Sequence, residues 1–200
     1  MKLEDASPGF FEFLEFLGEM IELKGWSGYN GELDTKLGTS GTHSLYTSYC
    51  GYEIMFHVAP FLPWRDNDPQ QLGRKVRIGN DHLVIVYQEG DLLYDPTSLR
   101  SKQTHVICIV KPTDDLYWVN FFARASVPPF PPAWRFPVRL EKNRVSRDRL
   151  LEKCINGIKA MYGMPRFQTK LESYRRKMLW DVYGKSIANS HYVQRMGCPL

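Results

Sequence analysis

The chain has 200 residues, 43% of them hydrophobic, 14% aromatic and 24% charged, with 26 Lys+Arg against 22 Asp+Glu. That length and apolar fraction describe one globular domain and exclude a disordered or collagen-like chain. No run approaches the roughly 18 apolar residues needed to span a bilayer, and the apolar stretch Phe10 to Leu17 is broken by acids with no small-residue cleavage site after it, so a secretory signal is not expected.

Ser7 followed by Pro8 reads as an N-cap with proline in the first turn, and Phe10, Phe13, Leu14, Leu17, Met20 and Ile21 recur at helical spacing. This predicts a helix that ends between Gly18 and Lys24. Residues 25–41, rich in Gly, Asn and Thr, read as loop, and Ser44–Tyr49 and Tyr52–Val58 as a hairpin about Cys50-Gly51. Asp68-Pro69 repeats the cap-plus-proline signal and predicts a helix to near Gly79. His82–Gln88, Thr104–Val110 and Leu116–Ala123 read as strands, the first two with the continuous apolar runs of central strands covered on both faces. Ser146 is the expected cap of a helix whose stripe is Leu150, Leu151, Cys154, Ile155, Ile158 and Met161, and Phe167–Tyr183 repeats that pattern through Leu171, Tyr174 and Met178. The order predicts an α/β fold (an α+β sandwich): a central mixed sheet covered by helices, in one domain over residues 1–184, with 185–200 as a tail.

Charge is unevenly spread. Residues 1–60 hold 3 Lys+Arg and 9 Asp+Glu, residues 131–180 hold 13 and 4, a dipole suited to orienting a charged partner. Aromatic residues in the basic half do not interleave with the cations as in stacking platforms, so nucleic acid is not the expected partner. Cys50, Cys108, Cys154 and Cys198 form no Cys-x-x-Cys pair and read mostly as small buried hydrophobes of an intracellular protein.

Self-contained chemistry finds little support. Gly184-Lys185-Ser186 lacks the leading glycine of a P-loop and follows a helix, and no G-x-G-x-x-G follows a strand. His43, His57, His82, His105 and His191 show no metal-ligand spacing and read as satisfied sheet or surface residues. No G-x-S-x-G elbow occurs, while a carboxylate pair cannot be located without a fold. Val127 to Trp134, with its four prolines, reads as a stiff loop packed on the domain, a polyproline ligand being the alternative. One stretch stands apart: Arg74, Lys75 and Arg77 put three cations in four residues, then Gly79 delivers Asn80-Asp81 immediately before a core strand. Its ordinary reading is a helix C-cap and turn.

Three blocks nevertheless resemble the Rap-type GTPase-activating protein domain, the family of the Rap GAPs, the signal-induced proliferation-associated proteins and the GAP domain of tuberin. They are Glu32-Leu33-Asp34 through Gly41–Thr47, Glu53–Val58 with Leu62-Pro63, and Gln70-Gln71-Leu72 through Ile78-Gly79-Asn80-Asp81. Val127-Pro128 with Phe130 and Pro131-Pro132, and Phe167 through Lys170-Leu171-Glu172 to Arg176, extend the likeness over most of the chain. The resemblance implies an activator of GTP hydrolysis on a Ras-like small GTPase, Rap ahead of Rheb or Ral, that is no enzyme by itself. By position, Asn80 would be an asparagine thumb that replaces a glutamine missing from the GTPase and positions the attacking water. Asp81 would cap or brace the turn, and Arg74, Lys75, Arg77, Asp81 and Arg176 would meet the partner. No cofactor is implied for this chain, since GTP and Mg²⁺ belong to the GTPase; the expected location is cytoplasmic, with recruitment to membranes through the GTPase or regions outside this chain.

The likeness has departures. Where the family reads Arg-Lys-Arg-His-Ile-Gly-Asn-Asp, this chain has Val76 for an arginine and Arg77 for the histidine, and Glu32 stands where glycine is common. The expectation is that Arg77 keeps a cationic contact while Val76 packs inward. The alternative function is a GTPase-binding module that has lost acceleration.

Overall fold

Helix α1 (Pro8–Leu17) begins at its expected cap: the Ser7 hydroxyl accepts from the Phe10 amide at 3.0 Å, with Pro8 in the first turn. The computed structural model describes residues 2–91 and 94–188. α1 stops at Leu17 because the chain then runs against a neighbouring strand, so closely that a Cβ on Gly18 would lie 2.4 Å from the Tyr46 carbonyl oxygen. Met20 and Ile21 therefore leave the helical stripe for strand β1 (Glu19–Glu22). β1 pairs antiparallel with β2 (His43–Tyr49), and β2 with β3 (Tyr52–Phe56), making the expected hairpin part of a three-stranded sheet. At its turn, Cys50 and Gly51 have φ of 48° and 78°, the left-handed pair whose twist suits a two-residue hairpin. Cys50 is exposed there, whereas Cys108 and Cys154 are buried as expected; Cys198 and His191 lie outside the described residues.

After α2 (Leu72–Asn80) comes a four-stranded sheet in the order β4 (Leu83–Tyr87), β5 (Val106–Pro112), β6 (Leu116–Ala123), β7 (Val138–Glu141). β4 runs parallel to β5 and the other pairs are antiparallel. The α/β class thus holds, with the strands divided between two sheets, and β7 is an addition too short to announce itself. Burial corrects one expectation: β5 alternates, Val106, Cys108 and Val110 being sealed while Ile107 and Ile109 are half-buried, and β4 lies at an edge with every residue half-buried. Helices cover one face of this sheet.

That covered face meets α1 and α3 (Arg144–Tyr162). Phe13, Leu14 and Leu17 of α1 and Leu150 and Cys154 of α3 form the main core with Cys108, Val110, Tyr117, Val119 and Leu140. Burying each such side chain contributes roughly 1.5–3 kcal/mol. α3 begins two residues before the expected cap: Asn143 accepts from the Ser146 amide at 2.9 Å, and Ser146 is inside the helix. The proline-rich run is the stiff packed loop that was expected. Phe130 packs with Met161 and Met164, and Lys153 Nζ, inside the fold, donates to the carbonyls of Phe130 (2.5 Å) and Pro132 (2.7 Å). α4 (Pro165–Ala188) starts earlier and runs further than expected, past Gly184; residues 189–200 of the expected tail lie outside the described residues. No helix among the described residues is long and apolar enough to cross a membrane.

Candidate functional site

The three-cation stretch forms α2, although three residues later than Asp68-Pro69 suggested. Gln71 adopts φ 48°, ψ 49°, which breaks helical continuity, and its carboxamide donates to the carbonyls of Arg65 (2.6 Å) and Asp68 (2.5 Å), holding the preceding turn. Asp68 keeps a capping role, accepting from the Gln70 and Leu72 amides at 3.1 and 2.7 Å. At the other end, the helix continues through Gly79 to Asn80, and Asp81 terminates it in extended backbone. Gly79 is thus a helical residue, not a left-handed cap, and a Cβ added there would meet nothing within 4 Å.

Four contacts from distant parts of the chain fix this helix end. Asp81 accepts from His57 Nδ1 through both carboxylate oxygens, at 3.0 and 3.1 Å, and His57 Nε2 donates to the Gly31 carbonyl at 2.7 Å. The Thr104 hydroxyl donates to the Asp81 carbonyl at 2.9 Å, and the Ser101 hydroxyl donates to the Gly79 carbonyl. Arg124 in turn holds residues 101–104, its Nε donating to the Thr104 carbonyl at 2.8 Å. Asp81 is therefore the expected brace, while His57, Ser101, Thr104 and Arg124 had no local signal: each acts across a sequence separation that only the fold closes.

His57 faces acceptors at both ring nitrogens, an arrangement only the imidazolium satisfies fully. The Asp81 hydrogen bond accordingly raises its pKa, burial and the Arg77 charge opposing part of that rise. With a folded-state pKa above the unfolded value of about 6.5, the stabilisation is complete below about pH 6.5 and is lost as pH rises through the folded-state pKa. The urea midpoint is expected to fall between pH 6 and pH 9 in the wild-type chain and to change less in Asp81→Asn; equal pH dependence in the two would show that the pair adds nothing.

Asn80 is exposed and lines a cleft of about 760 Å³ between α2 and the loop that carries Tyr29, Gly31, Glu32 and Thr39, above Met55, His57 and Leu62. Its carboxamide makes no hydrogen bond among the described residues, which leaves one acceptor and two donor hydrogens facing outward. Arg77 Nη1 donates to the Glu32 carbonyl at 3.2 Å, tying α2 to the opposite wall. Glu32 sits at φ 64°, so glycine there removes a left-handed cost of about 1–2 kcal/mol against an added entropic loss of about 0.5–1 kcal/mol. Glu32→Gly should raise stability by about 0.5–1 kcal/mol in urea unfolding; a lowered midpoint would contradict it.

Arg74 and Val76 lie elsewhere than expected, and Lys75 and Arg176 stand apart from the cleft. Arg74, expected at the partner surface, is 8% exposed; its guanidinium donates to the carbonyls of Leu62 (2.9 and 2.5 Å), Pro63 (3.3 Å) and Pro60 (3.4 Å) and lies 5.1 Å from the Trp64 ring. It cements the 60–64 loop because a carbonyl cluster satisfies a buried fork. Val76, expected to pack inward, is 60% exposed, since Arg74 and Ile78 occupy the inward face. Lys75 is exposed on α2 outside the cleft lining, and Arg176 is exposed on α4 and does not line it either. The described residues contain no group of histidine, cysteine or acidic side chains able to hold a metal.

The Rap/ran-GAP family profile matches residues 1–176. The chain belongs to the Rap/ran-GAP family. It is 40% identical to GTPase-activating Rap/Ran-GAP domain-like protein 3 of Gallus gallus over 193 residues, 94% of this chain and 21% of that protein. It is 44% identical to human signal-induced proliferation-associated 1-like protein 2 over 185 residues, 90% of this chain and 11% of that protein. The chain spans about a tenth to a fifth of the length of these curated relatives. Among solved structures, the TSC2 GAP domain superposes with a TM-score of 0.66 at 22% identity, covering 78% of this chain and 84% of that one. That likeness concerns the fold: the Rap/ran-GAP member described here shares its layered arrangement.

Proposed function

We propose that this domain accelerates GTP hydrolysis by a Ras-like small GTPase, Rap ahead of Ral or Rheb, with Asn80 acting as an asparagine thumb. The reading rests on Asn80: an exposed carboxamide at a helix end pinned by His57–Asp81, Thr104 and Ser101. Phosphoryl transfer needs little covalent help from protein groups; it needs a positioned water and compensated charge. Asn80 can accept from the attacking water and donate toward the γ-phosphate, the part a glutamine plays in GTPases that have one. GTP and Mg²⁺ stay with the GTPase. The reading places the domain in the cytoplasm, with membranes reached through its GTPase or through regions outside this chain.

A second reading, a GTPase-binding module without acceleration, draws on Val76 and Arg77, which replace the arginine and histidine usual in the family, Arg77 being engaged with the Glu32 carbonyl. Single-turnover GTP hydrolysis by Rap, Ral and Rheb, with and without the domain, separates the readings. Acceleration that depends on Asn80 supports the first, and binding to the GTP form without acceleration supports the second. Neither binding nor acceleration overturns both.

A further inference from the structure

We infer that the outward face of α2 carries an apolar ridge, Leu72 and Val76, which seats in an apolar groove with acidic rims on the GTPase and sets partner choice. The inference rests on the GTPase-activating reading and adds the chemistry of the surface that the partner must offer. Successive helical residues turn by about 100°, so Leu72, Val76 and Asn80, at i, i+4 and i+8, fall within an arc of about 80°. Arg74 and Ile78 hold the opposite, inward side: the first is buried on the 60–64 carbonyls and the second packs against Leu23, Leu33, Met55 and Leu62. Whatever Asn80 touches must therefore also cover Leu72 and Val76, which are 55% and 60% exposed.

The ridge and Asn80 line one cleft, whose far wall is formed by Tyr29, itself 52% exposed, with Glu32 and Thr39. Charge selects among apolar partners. Lys75 lies on one flank of the ridge and Arg77 on the other, Arg65 adds a cation to the cleft, and of its two carboxylates Glu32 stands on the far wall and Asp81 is paired with His57. Such a surface favours a hydrophobic groove edged by carboxylates and disfavours one edged by arginine or lysine. Val76 decides the matter at the centre, because an arginine at this position would ask for a carboxylate where valine asks for a methyl-lined hollow.

The test measures binding of the domain to the GTPase that it accelerates, loaded with a non-hydrolysable GTP analogue, together with single-turnover hydrolysis. Val76→Asp and Leu72→Asp are expected to weaken binding tenfold or more and to leave the rate at saturating domain unchanged, the signature of contacts made equally in ground and transition states. Val76→Ile should keep binding within about twofold, and Val145→Asp, 71% exposed on α3, should change neither quantity. Melting curves show that each variant folds, which surface changes at these positions permit. Wild-type affinity in both aspartate variants, with acceleration intact and dependent on Asn80, overturns the ridge and leaves the proposed function standing. Failure of the wild-type domain to bind any GTPase overturns both, and the wild-type control alone reveals it.

Discussion

Asn80→Ala is expected to reduce the single-turnover rate of the partner GTPase by about 10³-fold or more, the scale of groups supplied in trans to phosphoryl transfer. Binding should change little, since one exposed short side chain is removed from a helix end. The melting temperature should also hold, because a surface substitution of this kind shifts stability by no more than about 0.5 kcal/mol. Isosteres sharpen the result. Asn80→Asp keeps the shape but replaces two donor hydrogens by negative charge near the γ-phosphate, so it should do no better than alanine. Asn80→Gln keeps the chemistry but displaces the carboxamide by one methylene, and a misplacement of about 1 Å costs on the order of 10²-fold. Retained acceleration in Asn80→Ala would assign the water to another group and remove the thumb.

Arg74→Met should lower stability by about 3 kcal/mol, close to the loss of charge-assisted hydrogen bonds of about 1.5–3 kcal/mol together with buried carbonyls left unpaired. For a chain of this size that corresponds to a melting temperature lower by roughly 6–12 °C. The carbonyls of Leu62, Pro63 and Pro60 converge on one planar fork, so Arg74→Lys should recover only part of the loss, a lysine offering a point charge in its place. Differential scanning calorimetry decides. Unchanged melting with weakened GTPase binding would return Arg74 to the partner surface where the sequence first placed it.

The contrast between these two residues shows what the chain discloses by itself. Asn80 was singled out as a candidate because a family pattern marks it, while Ser7-Pro8 and the Cys50-Gly51 hairpin were legible because their signals are local. Arg74 was misplaced by its neighbours: three cations in four residues read as one charged face, yet a helix turns about 100° at each step and sends one of them inward. Met20 and Ile21 fit a helical and a strand period equally well, and only the approach of Gly18 to Tyr46 separates them. Asp81 could be expected to brace something, but its partner His57 lies 24 residues away and Thr104 lies 23 away. Pairings of that reach follow from the fold, not from spacing.

Asn80 is the last residue of α2, and the last carbonyls of a helix, which have no partner in the helical ladder, carry about half a negative charge. Phosphates settle at the opposite, amino end of helices. Asn80 therefore projects from the pole least hospitable to a free triphosphate, and Arg77 in the last turn offsets only part of that field. This helix end offers no anion site to dissolved nucleotide, so under the proposed function the domain would meet GTP only with its phosphates enclosed and their charge offset by a GTPase. Under the proposed function, such a domain would read the nucleotide state of its partner without competing for the nucleotide.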